Sequence, residues 1–338
     1  MTEPFPHRKE GSTSRNTGES ICLVVNPRAG AGAAGQHLDQ IRQAADRAFA
    51  NWDLRVTEGP GHATTLAAQA ASEEFNLVAA VGGDGTCNEV MNGLFDGTRP
   101  IRRKTVFSVI PYGTGSDLIK SLRIPNRLQD ALWVAATGIT LPTDVGHVRF
   151  TTPEIPRERL FLNVAGFGAN GDVVDRANQM SKRWGGRLTF LSATVQSALN
   201  YQAPDVRLTW EGPDGTGEWE GQMLSCTVAN GAYCGGGMWV GKSSSMQDGL
   251  LQVTIIPPNP IHRQVRELRH LYNGHPERIS GARTAMVHRI HAEPRDSTPL
   301  PIDIDGEMPG FGPLEIEVLP RALHVRGNWT ANPLPAPS

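Results

Sequence analysis

Residues 81–94 read VGGDGTCNEVMNGL, with three glycines set around Asp84 at the end of an apolar run. Glycine lets a backbone approach a ligand closely and adopt positive φ. A helix that begins here turns free N–H groups and the positive end of its dipole toward the loop. That is the chemistry of anion capture, and phosphate is the natural occupant. Asp84 would repel bare phosphate, so the loop suits a magnesium-bound nucleotide or a hydroxyl that has to be oriented. A tight strand-to-helix turn with Asp84 as its cap uses the same residues, and the loop alone does not separate the two.

A second cluster is IDIDGEMPG, where Asp303, Asp305 and Glu307 alternate and, on one strand, would project to the same side. Three like charges on one face are costly unless a metal, a basic group or a proton compensates them. A solvent-facing edge strand that ends at an Asp-Gly turn is the plainer alternative. SSSMQDGLLQV also carries an Asp-Gly pair, a hairpin signal in its own right. Just before it, Gly236 to Ser243 reads GGMWVGKS and formally satisfies a P-loop pattern. A P-loop lysine opens a helix after a buried strand, whereas Lys242 is soon followed by Asp248-Gly249 and a further β-type run, so the match is rejected. His62 in GPGHA reads as a first-turn helix residue and is left outside the site.

These residues need elements to hold them. ICLVV is a buried strand that breaks at Asn26-Pro27 into a glycine-rich loop, with a helix expected to about residue 50. LRVTEGPGHATTLAAQAASEEF gives a strand, a turn and an alanine-rich helix. NLVAAV returns as a strand, CNEVMNGLF as a helix, TVFSVIPYG as a strand, and GSDLIKSL and RLQDALWVAAT as helices. This alternation predicts a parallel α/β domain over 20–145. From about 146 to 326 short β-type runs between Gly, Pro and Asp turns predict a β-sandwich, interrupted by helices near 172–201 and 260–273, and the last strand is allowed to return to the first domain. Residues 1–19 and 327–338 are expected as tails.

The 338 residues suit two domains, and Lys+Arg 32 against Asp+Glu 34 leaves no global field that would mark a dedicated nucleic-acid binder. Cys22, Cys87, Cys226 and Cys234 form no CxxC pair, which favours reduced thiols and a cytoplasmic location. No stretch approaches the roughly 18 apolar residues that span a bilayer.

The ordered set NPRAGAG, TEGPGHATTLA, VGGDGTCNEV, PYGTGSDL, FLNVAGFGANGDVV, DGLLQV and DIDGE resembles the diacylglycerol kinase catalytic-domain family, which includes bacterial lipid kinases and sphingosine kinases, over about residues 21–326. GGDGT alone is shared with NAD kinases and phosphofructokinases; the ordered set is far more specific. The resemblance implies an N-terminal NAD kinase-like α/β domain and a C-terminal β-sandwich with the active site in the cleft between them. It implies ATP bound by Asn26, Pro27, Arg28, Ala29, Gly30, Thr57, Gly82, Gly83, Asp84, Gly85, Thr86, Cys87, Asn88 and Thr114. It implies a structural Mg2+ held at Ser245, Asp248 and Leu250, with Glu307 as proton acceptor, Asp305 beside the magnesium and water network, and Asp84 facing them. Ser116, Asn170 and Lys242 depart from the family pattern.

The implied activity is ATP- and magnesium-dependent phosphorylation of a lipid alcohol, diacylglycerol first and a sphingoid base or ceramide second. An NAD kinase-like enzyme and a non-catalytic nucleotide-binding regulator stand as alternatives. Such an enzyme would be cytoplasmic and would contact a membrane surface transiently; residues 176–191, which interleave Lys182, Arg183 and Arg187 with Trp184, suit that contact but also suit an ordinary basic helix surface. The oligomeric state stays open, with a homodimer among the options.

Overall fold

The computed structural model describes residues 16–112, 117–151, 156–172 and 201–329. Thr114 and Ser116, most of the helix expected near 172–201 and the basic segment 176–191 lie outside them.

In the N-terminal half, Asn16–Val25 pairs in parallel with Phe49–Val56 on one side and Leu77–Gly82 on the other, and Leu77–Gly82 pairs in parallel with Val106–Pro111. LVAAVG and VFSVIP are buried at every position, as strands covered on both faces must be. The helices Leu38–Ala48, His62–Ser72, Asp84–Gly93 and Leu128–Thr137 supply the cover. His62–Ser72 and Asp84–Gly93 approach closely: a Cβ at Gly93 would lie 2.2 Å from the Thr64 carbonyl oxygen, so only glycine fits.

The C-terminal half is a sandwich of two sheets. One runs Arg283–Val287, Leu251–Ile256, Ser225–Ala229, Val164–Gly168, Ile302–Ile304, with antiparallel neighbours throughout. The facing sheet is a continuation of the N-terminal one. The long strand Phe311–Gly327 pairs antiparallel with Arg289–Pro294 near its start and parallel with Val106–Pro111 near its end, while Ile139–Thr151 lies along its whole length. Phe161, Phe167, Val228, Val253 and Ile316 form the core between the sheets. The two halves therefore share backbone hydrogen bonds as well as packed surfaces, which fixes the cleft between them.

Candidate active site

Leu77–Gly82 ends at the glycine-rich loop and the helix begins at Asp84, three residues earlier than CNEVMNGL suggests. Of the two properties expected of these glycines, close approach and positive φ, the second is not used. None of Gly82, Gly83 and Gly85 has positive φ; that conformation belongs to Gly30, Ala31 and Gly32 in the neighbouring loop. Gly82 is needed for space, and a side chain at Gly85 would displace the Glu307 carboxylate. A Cβ at Gly82 would strike Thr86 at 2.6 Å, and one at Gly85 would lie 2.8 Å from Glu307 Oε1. At Gly83 the corresponding position is open.

Asn26 locks the two loops together: its Nδ2 donates to Thr86 Oγ1 at 3.0 Å and its Oδ1 accepts from the Arg28 amide at 2.9 Å. A polar cleft results, lined by Asn26, Pro27, Arg28, Thr57, Gly85, Thr86 and Glu307, together with Glu58, Gly59, Pro60, Ala63 and Glu89, which the motifs did not single out. Glu89 accepts from the Gly61 and Ala63 amides at the start of His62–Ser72, and so fills one helix terminus that borders the cleft. Not every expected nucleotide residue reaches this cleft. Ala29 packs against the core, and the Cys87 thiol is buried, with its pKa driven well upward by desolvation. Asn88 is buried at the junction of the two halves: its Nδ2 donates to Asp305 and to the Leu160 carbonyl, and its Oδ1 accepts from Arg159. Gly30, Gly82, Gly83 and Asp84 are also outside the polar lining.

The expected row of three carboxylates does not form. Only Ile302–Ile304 is strand; Asp305 and Gly306 both take positive φ, 49° and 87°, and Ile304 pairs with Glu307 across them. This is the geometry of a two-residue I′ hairpin turn, and it breaks the row, leaving Asp303 and Asp305 on the cavity side while Glu307 lines the polar cleft. Asp303 faces an apolar cavity, where burial pushes its pKa up to about 8, against the Gly306 amide that donates to it. Asp305 accepts four N–H groups, from Leu162, Asn163, Val164 and Asn88, at 2.9–3.2 Å. Burial raises its pKa and these donors oppose the rise. With four donors from both halves converging on it, Asp305 clasps the halves together. Glu307 pairs with Arg159 at 2.6 Å, and the same guanidinium reaches Asn88 at 2.7 Å.

Asp84 does not cap its own helix. Its carboxylate accepts from the Asp117 and Leu118 amides at 3.2 and 3.4 Å. Asp117 in turn holds Lys120 at 2.6 Å and the Gly236 amide at 2.7 Å, and Gly235, Gly236 and Gly237 all have positive φ. This chain forms one end of a cavity of about 200 Å³. Asp84, Asp117, Asn163, Asp303 and Asp305 lie at its polar end; Val164, Ala169, Leu224, Met238, Val240, Ile256 and Leu268 are among the apolar side chains along the rest. Asn170 also lines it and donates to the Cys226 carbonyl at 3.1 Å.

The loop at 245–250 is distant in character from both cavities. Asp248 Oδ1 accepts from the Leu250 amide at 3.0 Å and the Ser245 carbonyl accepts from the Asp248 amide at 3.4 Å, which closes an Asp-Gly turn. Burial and the nearby Asp144 charge raise the Asp248 pKa. Lys242 is followed by turns and the strand Leu251–Ile256, and its ammonium lies 5.6 Å from the Trp239 ring, so no P-loop is present.

Arg159, Asp117 and Glu89 are the polar partners that motif reading missed. Asp117 and Glu89 stand inside the quoted PYGTGSDL and VGGDGTCNEV segments without a role assigned to them; Arg159 lies in RERLF, where nothing local marks it.

Residues 20–148 match the diacylglycerol kinase catalytic domain model, and 163–327 match the YegS C-terminal NAD kinase beta sandwich-like domain model. A Pseudomonas putida protein named "Probable lipid kinase YegS-like" is 30% identical over 275 residues, 81% of this chain and 84% of its own. The chain belongs to the diacylglycerol kinase and YegS-like lipid kinase family. A Bacillus subtilis relative named diacylglycerol kinase is 28% identical over 306 residues, covering 90% of this chain and 94% of that protein. Within the family, a crystal structure titled as a diacylglycerol kinase from Bacillus anthracis superposes with TM-score 0.72 at 25% identity, covering 92% of this chain and 97% of that one. Both the N-terminal α/β domain and the C-terminal β-sandwich are thus family features, and the chain is a phosphotransferase of the alcohol-acceptor kind.

Proposed function

We propose that this enzyme moves the γ-phosphoryl group of ATP to the hydroxyl of a lipid alcohol, diacylglycerol first and a sphingoid base or ceramide second. One observation carries the reading. The loop 82–86 and the turn 305–307 together form a wall with a polar cleft on one side, touched by Gly85, Thr86 and Glu307, and an apolar cavity on the other, touched by Asp84, Asp305 and Gly306. A soluble acceptor such as NAD would have no use for the apolar side.

In this reading the phosphates lie along Asn26, Pro27, Arg28, Thr57, Gly85 and Thr86, at the helix end that Gly83 opens, and the acyl portion of the acceptor fills the cavity. Glu307 takes the proton of the hydroxyl as its oxygen bonds to the γ-phosphorus and the bond to the β-bridging oxygen breaks, releasing ADP. Arg159 fixes that carboxylate, and Asp84, on the cavity side, orients the hydroxyl. The same position supports a second assignment, with Asp84 as the base, because it faces the acceptor cavity while Glu307 faces the nucleotide cleft.

The polar cleft fits a nucleotide that carries a divalent cation. Glu58, Glu89 and Glu307 line it beside Arg28, a balance that would repel bare triphosphate. Bound magnesium would neutralise phosphate charge during transfer. The turn at Ser245, Asp248 and Leu250 offers only oxygens, and a cation there would relieve the repulsion between Asp248 and Asp144, which suits a structural ion.

Labelled ATP and magnesium incubated with pure enzyme and a panel of diacylglycerol, sphingosine, ceramide, monoacylglycerol and NAD test the proposal. Label is expected in diacylglycerol. Label in NAD and in no lipid, or nucleotide binding without transfer to any acceptor, would overturn it.

A further inference from the structure

The helix Ile261–Tyr272, IHRQVRELRHLY, covers one side of the apolar cavity with Gln264, Val265, Glu267, Leu268 and Leu271. Val265 lines the cavity and is also 56% exposed; Ile261, one turn earlier on the same face, is 37% exposed. They are two of the six large apolar side chains exposed among the described residues, and the other four are scattered elsewhere. The cavity lip is therefore apolar and open to the outside.

The lip has a cationic border. Arg263, Arg266 and Arg269 are exposed, and none makes an ion pair among the described residues. Successive 100° steps put Arg269 and Arg266 on the flank next to Val265, with Arg263 further round. The helix has one acid, Glu267, one turn from Arg263; it is buried, accepts from the Ser280 hydroxyl at 2.7 Å and the Ser280 amide at 3.0 Å, and has its pKa lowered by those bonds and by the Arg263 and Arg266 charges. An apolar edge bordered by three exposed arginines against a single buried acid is complementary to an interface whose interior is hydrocarbon and whose surface is anionic.

We infer that Ile261–Tyr272 is the docking surface for an anionic lipid bilayer, seating the cavity lip in the headgroup layer so that an acyl-chain acceptor passes from the membrane past Val265 into the cavity. This rests on the lipid-alcohol reading for what travels, but not for the docking itself. Ile261 and Val265 insert shallowly, and the arginines hold lipid phosphates at the level of the helix.

The full chain is mixed with phosphatidylcholine vesicles with or without phosphatidylglycerol, and sedimentation measures the bound fraction. Binding is expected only to the anionic vesicles, weakening as salt rises. Arg263→Ala/Arg266→Ala/Arg269→Ala should lower the partition coefficient about 100-fold, roughly fivefold per arginine. The corresponding triple Lys variant should keep it. All three side chains lie outside the cavity lining, so phosphorylation of a water-soluble short-chain diacylglycerol in the absence of vesicles should be unchanged in both variants. Vesicle binding that ignores the Ala substitutions, or that the Lys variant loses equally, would overturn the docking surface. Absence of vesicle binding together with an arginine-dependent dimer in ultracentrifugation would also overturn it and give the face to a second copy. Arginine-dependent binding by a protein that phosphorylates no lipid would uphold the docking surface while the kinase reading failed.

Discussion

The two cavities that meet at the 82–86 loop are built by opposite means. The polar cleft is made of loop backbone and polar or charged side chains near the ends of parallel strands, with Asn26 and Gly82 holding its two loops against each other. The apolar cavity is made largely of strand faces and one covering helix, with its acidic groups gathered near Asp84 and Asp303 and mostly apolar side chains elsewhere. The first arrangement tolerates little change because phosphate recognition depends on backbone approach. The second depends on volume and tolerates more.

If the comparison is right, changes on one side should leave the other intact. The largest effect is expected for Gly83→Val. Its φ of −97° suits valine and nothing lies within 4 Å of the added Cβ, so the fold should survive. The side chain would still occupy the open space over the helix terminus, and ATP affinity should be nearly abolished; calorimetric titration of a folded variant checks this.

Next comes Ala169→Phe, which fills part of the apolar cavity. It should lower kcat/KM for a long-chain lipid by about 10–200-fold with KM for ATP unchanged. An equal loss for both substrates would mean that the two cavities are not separate sites.

A smaller effect sharpens the polar end of the cavity. The Asp303 pKa is raised in the folded state, so the folded protein binds the extra proton and stability falls as pH rises from the ordinary value of 3.8 through about 8. Asp303→Asn should remove that dependence. Its Tm should match the parent below the lower value and exceed it above the upper one, as thermal melts across the range would record.

Lys242→Ala should do least. The ammonium lies near Trp239 and His275 rather than over a phosphate loop, and ATP affinity is expected to stay within a few-fold of the parent, well short of the loss from a true P-loop lysine.

Much of this was legible in the sequence because it is local. LVAAVG and VFSVIP announce buried parallel strands, and GGDGT announces the loop between a strand and a helix. The failures share a physical cause. IDIDGE reads as period-two alternation, yet Asp305-Gly306 is a turn pair, and turn chemistry won over periodicity. Cys87 and Asn88 fall within the motif, but a helix sends successive side chains 100° apart, so both turn inward while Thr86 faces the cleft. Arg159 is 148 residues from Glu307, and only the shared sheet brings them together.

The central claim is that Glu307, on the wall between the cavities, accepts the proton of the lipid hydroxyl. Single-turnover transfer from labelled ATP to diacylglycerol by Glu307→Gln measures it most directly. The substitution keeps size and hydrogen bonding but removes basicity, so the rate should fall by about 10²–10⁴-fold with ATP affinity and folding little changed. Near-normal transfer by Glu307→Gln, with transfer lost in Asp84→Asn, would contradict it and move the base to the cavity side.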